Sequence, residues 1–274
     1  MPEFFSAPAK INLFFNIVSK RSNCYHNIES LFVPLKLVDH IKIEPNQRVT
    51  LSLPGSPSIT NNTAQKLLDI LEPLRPKSCG AKITIIKNIP IGGGLGGSST
   101  DAGTLLTILN KFWDLNLPPN ELIQIATLIG ADVPFFLDPK PSLVRGIGDD
   151  IQPIPFMDKE IHLVLFSPQF EMSTKLVYTN CNKPFTKPLP SLNHDVINDN
   201  ITFGGNDLEH AAIKLEPLIG ELLEEIKSSE GCILSRMTGS GSTCFGLYRN
   251  KSLALKAQKY YAFKYKTYYE YIRI

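Results

Sequence analysis

Apolar residues recur along the chain with two different spacings, and these spacings predict a protein that mixes strands with helices. Alternation at every second position, as in 7–17 and 81–89, is typical of strands, whereas recurrence at every third or fourth position, as in 102–113, is typical of helices. We expect further strands at 41–53, 143–154, 161–167 and 243–248, further helices at 61–74, 121–129 and 206–227, and a last helix and strand in the tail.

Residue types predict how several of these elements begin, end and pair. The alternation in 41–53 spans Pro45-Asn46, which indicates a hairpin that turns at this dipeptide. Gly130 is expected to end the preceding helix in the left-handed conformation, and Pro217 is expected to kink the helix 206–227. Two further helix caps are predicted from side-chain oxygens, at Asn61 or Asn62 and at Ser173-Thr174.

The length of 274 residues suits one large domain or two closely associated ones. A Gly-rich turn in 143–154 precedes Pro155, and we expect the chain to cross there into a second half. The predicted domains are therefore 1–154 and 155–274. The stretch 180–205, with three prolines and many asparagines, is expected to be a mobile or irregular loop.

The composition is that of an ordinary globular protein, with 43% hydrophobic residues, 20% charged residues and a net charge of +2. This balance favours neither a nucleic-acid nor a membrane partner. The amino end has no basic segment before an apolar run, and no apolar run approaches the length of a membrane span, so we expect neither a signal peptide nor a membrane helix. The five cysteines form no C-x-x-C pair, which is typical of free thiols in a reducing cytoplasm.

The tail, 256–274, mixes basic and aromatic residues, a combination also found in nucleic-acid binders. Because 264–274 alternate regularly and the rest of the chain shows no basic patch, a final helix and strand explain the tail better.

Residues 90–100 (PIGGGLGGSST) place five glycines within six positions, between the strand 81–89 and the helix that follows. Ser98, Ser99, Thr100 and Asp101 are expected to cap this helix. Unpaired N–H groups at a helix start favour an anion, and glycine lets the backbone approach phosphate oxygens closely. The segment therefore predicts a phosphate-binding loop; the alternative is a flexible connector.

Two well-known phosphate loops share part of this pattern but do not fit. Gly92 and Gly97 have the spacing of a Walker loop, yet Ser98 stands where that loop needs a lysine. Gly92, Gly94 and Gly97 also satisfy G-x-G-x-x-G, but the dinucleotide fingerprint requires a second strand and an acidic residue about 20 positions further on. Here a second helix follows instead.

Three further features have both a structural and a functional interpretation. Lys10 is a rare charge in a strand of apolar and amide side chains, so it either extends to solvent or points at a phosphate or a reacting hydroxyl. Asp132 is an isolated carboxylate among apolar neighbours, which is either a turn cap or a paired, functional group. Tyr25-His26 is either a surface loop or a stacking platform, and the loop Gly239-Ser240-Gly241 is either a hairpin turn or a second small-residue loop at the site.

The motifs PAKINL, PIGGGLGGSS, GADVP and MTGSGST, in this order, resemble those of the galactokinase, homoserine kinase, mevalonate kinase and phosphomevalonate kinase superfamily. More narrowly, the chain resembles the kinases of that superfamily that act on a methylerythritol carrying cytidine diphosphate, in the non-mevalonate isoprenoid pathway. The residues that carry this resemblance are PAKINLFF, the Tyr25-His26 pair, GADVPFF and TGSGS. The resemblance implies an α+β fold of two domains, with mixed sheets, helices and an active site in the cleft between the domains.

The resemblance also implies a role for each candidate residue. ATP and Mg²⁺ would be the cofactors, and the γ-phosphate of ATP would pass to a substrate hydroxyl. Asp132 would take the hydroxyl proton, and Lys10 would orient Asp132, keep it ionised and favour the developing alkoxide. ATP would be bound by Pro90, Gly92, Gly93, Gly94, Leu95, Gly96, Gly97, Ser98, Ser99, Thr100, Asn62 and Lys87, with Ser99 or Thr100 meeting Mg²⁺. The acceptor would be bound by Asn12, Tyr25, His26, Thr174, Tyr178, Gly239, Ser240 and Gly241.

The glycine loop departs from the family pattern at one position, since Ser98 stands where a third glycine is usual. The added Cβ is expected to restrict φ at this position and to change which hydroxyl serves the metal. Other functions stay open: a sister kinase acting on homoserine or a mevalonate, a nucleotide-binding regulator without chemistry, or a nucleic-acid binder. We expect a monomer or a weak homodimer acting on a small-molecule substrate.

Overall fold

The computed structural model describes residues 3–55, 63–154, 160–168, 170–190, 195, 199, 201–202 and 204–273. The chain forms two compact units that are discontinuous in sequence. The first unit comprises Met1–Ala9, Leu37–Pro90 and Gly96–Pro139, and the second comprises Lys10–Lys36, Ile91–Leu95 and Lys140–Ile274. The long strands β1 (Glu3–Lys20) and β2 (His26–Asn46), which pair with each other, contribute residues to both units.

The first unit packs helices on strands. Strand β4 (Gly80–Ile86) lies between β2 and the short β3 (Thr50–Ser52), antiparallel to β2 and parallel to β3. The helices are α1 (Thr63–Leu71), α2 (Gly97–Phe112) and α3 (Pro119–Ile129), followed by a 3-10 helix (Pro134–Leu137). Alternate strand residues and one face of each helix form a single buried core that includes Ile41, Ile43, Ile83, Ile85, Leu67, Leu71, Leu105 and Leu109.

The second unit contains a hairpin and a four-stranded antiparallel sheet. The hairpin of β5 (Ser142–Gly146) and β6 (Asp150–Pro153) pairs with Ile28–Phe32 of β2. The sheet has the order β10-β7-β9-β8, formed by β7 (Glu160–Ser167), β8 (Cys232–Met237), β9 (Cys244–Tyr248) and β10 (Lys266–Arg273). Its helices are α4 (Thr174–Thr179), α5 (Glu209–Leu215), α6 (Leu218–Ser228) and α7 (Lys251–Tyr261).

The expected α+β class is confirmed, as are the strand at 161–167 and the helix and strand of the tail. The strand expected at 81–89 is β4, which ends at Ile86, and the strand and turn expected in 143–154 are a hairpin of two strands, β5 and β6. Ser173 caps α4, since its hydroxyl accepts a hydrogen bond from the Leu176 N–H. Residues 181–190 contain no helix or strand, whereas Asp195, Asp199, Ile201 and Thr202 are helical.

The expected hairpin at Pro45-Asn46 is wrong. β2 and β3 do not pair with each other, because β4 lies between them. The alternating pattern identified the strands correctly, but alternation carries no information about which strand is the partner.

Three predictions about burial and helix ends are also wrong. The alternation in 7–17 predicts a half-buried strand, but residues 9–17 of β1 are all buried. Gly130 has an extended backbone with φ of −178°, and therefore its freedom to adopt positive φ is not used. The expected kinked helix 206–227 is two helices, α5 and α6, because Glu216 leaves the helical conformation before Pro217.

Asn61, Asn62 and Pro155 lie outside the described residues. The predicted cap of α1 and the predicted crossing into a second half at Pro155 therefore stay predictions. The two compact units are not divided by a single point in the chain, and the division into 1–154 and 155–274 stays a prediction. None of the described helices combines the length and the apolar character that crossing a bilayer requires.

Candidate functional site

Lys10 lies in the buried part of β1 and is only 3% exposed. Its ammonium group donates to Asn12 Oδ1 at 2.6 Å and to the Gly94 carbonyl at 2.9 Å, and it lies 4.9 Å from the centre of the Phe32 ring. Burial of an ammonium is unfavourable unless polar partners replace water. Lys10 is therefore held inside the second unit against the glycine loop, and the interpretation of an edge lysine that extends to solvent is wrong.

Asn12, two residues further along β1, connects several elements. Its backbone N–H donates to Thr238 Oγ1 at 2.9 Å, and its side-chain amide donates to Ser30 Oγ at 2.8 Å. The Thr238 hydroxyl in turn donates to Asn12 Oδ1 at 3.2 Å. Asn12 is only 1% exposed, so these hydrogen bonds fix the orientation in which its Oδ1 accepts from Lys10.

The part of the glycine loop that belongs to the second unit, Ile91–Leu95, has several of its carbonyl groups hydrogen-bonded there. The carbonyls of Gly92 and Gly93 accept from the N–H groups of Met172 and Thr243, at 3.4 and 3.2 Å. The Leu95 carbonyl accepts from the Lys10 N–H at 3.0 Å. Positive φ angles occur at every second residue, 65° at Gly92, 74° at Gly94 and 75° at Gly96. Alternation of this kind is found in backbone nests, whose N–H groups converge on an anion.

At Gly94 there is also no space for a side chain. A Cβ at this position would lie 2.5 Å from the Thr238 carbonyl oxygen and 3.0 Å from that of Gly241. The glycine loop and the loop that carries Gly239-Ser240-Gly241 are thus in backbone contact within the second unit.

The second glycine loop connects β8 to β9 and meets α4. Ser240 Oγ and Thr174 Oγ1 are 2.8 Å apart, a hydrogen-bond distance, and Thr174 is the first residue of α4. A Cβ on Gly239 would lie 3.2 Å from Asn12 Oδ1 and 3.4 Å from Lys10 Nζ. The second unit therefore brings together Lys10, Asn12, Gly94, Thr174, Gly239 and Ser240, which are far apart in sequence.

The aromatic candidates form a platform in the same unit. The rings of His26 and Tyr178 are stacked, with centroids 5.2 Å apart and an angle of 27° between the planes. Tyr25, which precedes His26 in the sequence, is 58% exposed. Burial, together with the charge of Lys20, lowers the pKa of His26, which keeps its imidazole neutral at physiological pH. A neutral imidazole offers one donor and one acceptor to a ligand.

Asp132 belongs to the first unit, in the turn between α3 and the 3-10 helix Pro134–Leu137. The side chains that follow it, Pro134, Phe135 and Phe136, are buried, whereas Asp132 itself is partly exposed. Gly103 of α2 lets this turn come close, since a Cβ there would lie 3.0 Å from the Val133 carbonyl oxygen. The position of Asp132 is thus set by apolar anchoring of the residues behind it.

Lys87, one of the expected ATP ligands in the first unit, has two buried carboxylates as partners. Its ammonium group forms ion pairs with Asp39 and, at 2.6 Å, with Asp101, and it also donates to the Gly97 carbonyl at 3.3 Å. Asp39 Oδ1 accepts from the N–H groups of Asn88 and Ile89, at 2.5 and 2.8 Å. Lys87 therefore ties the end of β4 to the first residue of α2.

Asp101 is the less well satisfied of the two carboxylates. It is 1% exposed, and its Oδ1 has no hydrogen-bond partner among the described residues. Burial raises the pKa of Asp101 to about 7, helped by the charge of Asp39 and opposed by that of Lys87. Near neutral pH this carboxyl group exists in both protonation states.

The helix α2 begins differently from the prediction. Its N-cap is Gly96, whose φ is 75° and which makes no side-chain cap, so Ser98, Ser99, Thr100 and Asp101 lie within the helix. Because Ser98 is helical, its Cβ imposes no backbone strain, and that expectation is wrong. Ser98 is exposed and Ser99 half-buried, whereas the Thr100 side chain is buried with its Oγ1 unpartnered among the described residues. Ser98 and Ser99 thus have accessible hydroxyls, whereas the Thr100 hydroxyl is buried.

Several polar residues of these networks were not among the predicted site residues: Ser30, Asp39, Asp101 and Thr238. Thr238 adjoins the second glycine loop, so the motif MTGSGST itself held that signal. Asp101 was interpreted as a helix cap. Asp39 lies just before the predicted strand 41–53, and nearby charges such as Lys36 and Lys42 keep it from standing out in the sequence.

Comparison with known proteins agrees with this arrangement. Residues 61–138 match the GHMP kinases N terminal domain, and residues 188–267 match the GHMP kinases C terminal. The chain belongs to the GHMP kinase family, which confirms the resemblance and makes the protein an ATP-dependent kinase.

Within this family the chain is similar to 4-diphosphocytidyl-2-C-methyl-D-erythritol kinases. It is 37% identical to that of Citrifermentans bemidjiense, with 92% of this chain and 91% of the relative covered. It is 36% identical to that of Wolbachia pipientis wMel, with the same coverage of 92% and 91%. A crystal structure of 4-(cytidine 5'-diphospho)-2C-methyl-D-erythritol kinase has a TM-score of 0.84 at 28% identity and covers 99% of this chain and 100% of that one.

Proposed function

We propose that the protein transfers the γ-phosphoryl group of ATP to the 2-hydroxyl of 4-diphosphocytidyl-2-C-methyl-D-erythritol. The observation that carries this proposal is the cluster in which buried Lys10 and Asn12 contact both glycine loops. A buried cation beside two loops rich in backbone N–H groups suits a reaction in which phosphate charge must be held and neutralised. The similarity to kinases of this name supports the choice of substrate.

In this proposal the glycine loop, 90–100, binds the ATP phosphates with its N–H groups, and Asn62 and Lys87 line the adenine site. The positive-φ glycines and the start of α2 support an anion site at this loop. Mg²⁺, when bound, neutralises phosphate charge. Ser98 or Ser99 would meet it, because their hydroxyls are accessible.

The acceptor is bound by the second unit. Tyr25 and Tyr178 stack on the cytosine, and neutral His26 reads its edge. Asn12 and Thr174 contact the remainder of the molecule, and Gly239, Ser240 and Gly241 close on its diphosphate.

Asp132 acts as the general base in the proposed reaction. It accepts the hydroxyl proton while the acceptor oxygen forms a bond to the γ-phosphorus and the bond from that phosphorus to the bridging oxygen breaks, which releases ADP. Lys10 favours the charge that develops on the acceptor oxygen. We also propose that the protein works in the cytoplasm as a monomer or weak homodimer, an environment that suits its five free cysteines.

A coupled assay of ADP release tests the proposal. The wild-type protein is expected to release ADP in a manner that depends on the cytidine diphosphate acceptor, and Lys10→Met and Asp132→Asn are each expected to lower kcat by about 10²–10⁴-fold. Lys82→Met and Asp138→Asn are matched controls, because both residues are exposed and belong to no proposed site. Wild-type turnover in either Lys10→Met or Asp132→Asn would refute the assigned chemistry.

A panel of acceptors separates this proposal from a sister kinase. Homoserine and mevalonate carry neither a cytosine nor a diphosphate, so they are expected to give no ADP release above background. In addition, Tyr25→Ala and His26→Ala should raise the KM for the cytidine diphosphate acceptor. An unchanged KM in both variants, or turnover of homoserine, would redirect the assignment to another member of the family.

A further inference from the structure

Asn206 and Asp207 lie just before helix α5, and the proposed function gives neither residue a role. The backbone of 205–207 runs alongside β1: the Phe15 N–H donates to the Gly205 carbonyl at 2.9 Å, and the Asp207 N–H donates to the Phe15 carbonyl at 2.8 Å. Asn206 is the residue bridged to Phe15 in parallel orientation. The Asn206 side chain contacts the end of β8 and the loop that follows it, whereas the Asp207 side chain contacts Ile17 of β1 and Thr186.

The Asn206 side chain is bound to the second glycine loop. Its amide nitrogen donates to the carbonyls of Met237 and Gly239, at 2.8 and 2.7 Å. Its Oδ1 accepts from the Leu208 N–H at 3.0 Å, and the residue is 6% exposed. Both amide hydrogens and the amide oxygen thus have partners inside the second unit, which fixes the orientation of the side chain.

Gly239 is the residue at which this loop approaches the Lys10 ammonium group. The position of a Cβ on Gly239 is 3.2 Å from Asn12 Oδ1 and 3.4 Å from Lys10 Nζ. A shift of the Gly239 backbone would therefore change the surroundings of Lys10 and Asn12, as well as the N–H groups of the loop.

We propose that Asn206 is a positioning residue that sets the second glycine loop against Lys10 and Asn12 and thereby holds the acceptor diphosphate in register. The inference rests on the proposed function for the identity of the acceptor, but not for the position of the loop. Asn206 acts through Gly239 and does not itself touch the substrate.

The test begins with Asn206→Ala. This variant leaves the Met237 and Gly239 carbonyls without their donor, so the loop is free to move. Displacement by about 1 Å costs on the order of 10²-fold in rate in well-oriented sites. We expect the KM for the acceptor to rise by about tenfold or more, and kcat to fall, while the KM for ATP changes by less than about twofold.

Asp207→Asn is the matched control for a merely structural effect. Asp207 is equally buried, at 3%, and accepts from Ile17 N–H at 2.7 Å, from Thr186 Oγ1 at 2.8 Å and from Lys183 Nζ at 2.5 Å, all outside the glycine loop. We expect this variant to lower the melting temperature about as much as Asn206→Ala, with an unchanged KM for the acceptor. An equal rise of this KM in both variants would overturn the inference.

Hydrogen exchange measures the position of the loop without any substrate. The N–H groups of Gly241 and Thr243 donate to the carbonyls of Thr238 and Gly93, at 3.0 and 3.2 Å. We expect their exchange to be faster by about tenfold or more in Asn206→Ala and unchanged in Asp207→Asn. Unchanged exchange in Asn206→Ala overturns the inference. If the wild-type protein does not turn over the cytidine diphosphate acceptor, the proposed function is refuted, and hydrogen exchange alone then tests whether Asn206 positions the loop.

Discussion

Gly94 and Gly55 show that single glycines with the same backbone conformation can serve different needs. Both have positive φ, 74° and 79°, which a residue with a Cβ adopts at a cost of about 1–2 kcal/mol. At Gly55 no described atom lies within 4 Å of an added Cβ, whereas at Gly94 the added atom lies 2.5 Å from the Thr238 carbonyl oxygen. The two substitutions therefore separate backbone strain from steric exclusion.

We expect Gly94→Ala to destabilise the protein more than Gly55→Ala, because the two glycine loops must move apart. Nucleotide affinity should fall by about tenfold or more in Gly94→Ala and stay within about twofold of wild type in Gly55→Ala. Urea denaturation and titration with ATP measure the two effects. Equal stability losses together with equal affinities would show that the loops do not need this close approach.

Asp101 makes stability depend on pH. Its pKa in the folded protein is about 7, above the ordinary value of about 4, so the folded state binds more protons than the unfolded state between these values. The contribution of this group to the free energy of unfolding therefore decreases as pH rises from about 4 to about 7, by at most about 1.4 kcal/mol per pH unit, and is constant above that range.

Asp101→Asn is expected to remove this decrease, since an amide does not titrate and its N–H₂ group can occupy the side where Oδ1 lacks a partner. Denaturation at several pH values between 5 and 8 measures the difference between the variant and wild type. Parallel pH profiles for the two proteins would mean that Asp101 is ionised throughout this range.

What the sequence reveals about a single residue depends on the partners of that residue. Lys10 was recognisable because a cation is unusual in an apolar strand, yet its contact with Gly94 joins residues 84 positions apart and follows from no local pattern. Asp101 was misjudged for the opposite reason, because its place after three hydroxyl residues suits a helix cap. Its partner Lys87 and the second carboxylate that Lys87 binds, Asp39, come from other parts of the fold.

Among the elements, α4 is short and depends on its cap. It has six residues, and the Ser173 hydroxyl accepts from the Leu176 N–H at 3.4 Å. Loss of a capping side chain costs about 1 kcal/mol. Since Tyr178 stacks on His26 near the end of this helix, fraying of α4 would displace the platform.

Ser173→Ala is accordingly expected to raise the KM for the cytidine diphosphate acceptor by about three- to tenfold, the equivalent of about 1 kcal/mol. Asn250→Ala is the matched control, because Asn250 caps α7 in the same way, by accepting from the Leu253 N–H at 3.0 Å. Both variants should lose thermal stability. A rise of KM in the Asn250 variant, or none in the Ser173 variant, would contradict a link between this cap and the platform.

The elements themselves were largely predictable, because burial of one face imposes a period that the sequence displays directly. The pairing of β3 with β4 was not predictable, because strand order depends on how all the strands compete for partners. The end of α3 illustrates a similar limit: Gly130 was correctly placed at the end, but its conformation depends on the turn that leads to Asp132.

For the whole molecule, the discontinuous units imply that a cut near residue 154 would divide a core. The buried core of the second unit includes Phe15, Ile17 and Ile28, together with residues of 164–257. We expect a fragment of residues 155–274 to be unfolded by circular dichroism and to gain structure when a fragment of residues 1–154 is added. Cooperative thermal unfolding of the isolated fragment 155–274 would instead support two independently folding domains at the predicted boundary.

The family, the fold class and the chemistry of the reaction could be inferred from four short motifs, because each motif preserves the residue types that phosphate binding needs. The allocation of residues to the two units could not be inferred. In the sequence β1 and β2 look like ordinary strands, and nothing there indicates that each contributes residues to both units.

This division also has a consequence for the nascent chain on the ribosome. Every residue of the first unit precedes position 140, whereas the second unit needs Lys10–Lys36 together with the carboxyl-terminal half. At a synthesis rate of about 5–20 residues per second, the segment Lys10–Lys36 therefore waits on the order of 10 s, with Phe15, Ile17 and Ile28 unburied, after the first unit is complete. During this interval the exposed apolar side chains of the segment are open to chaperones and proteases.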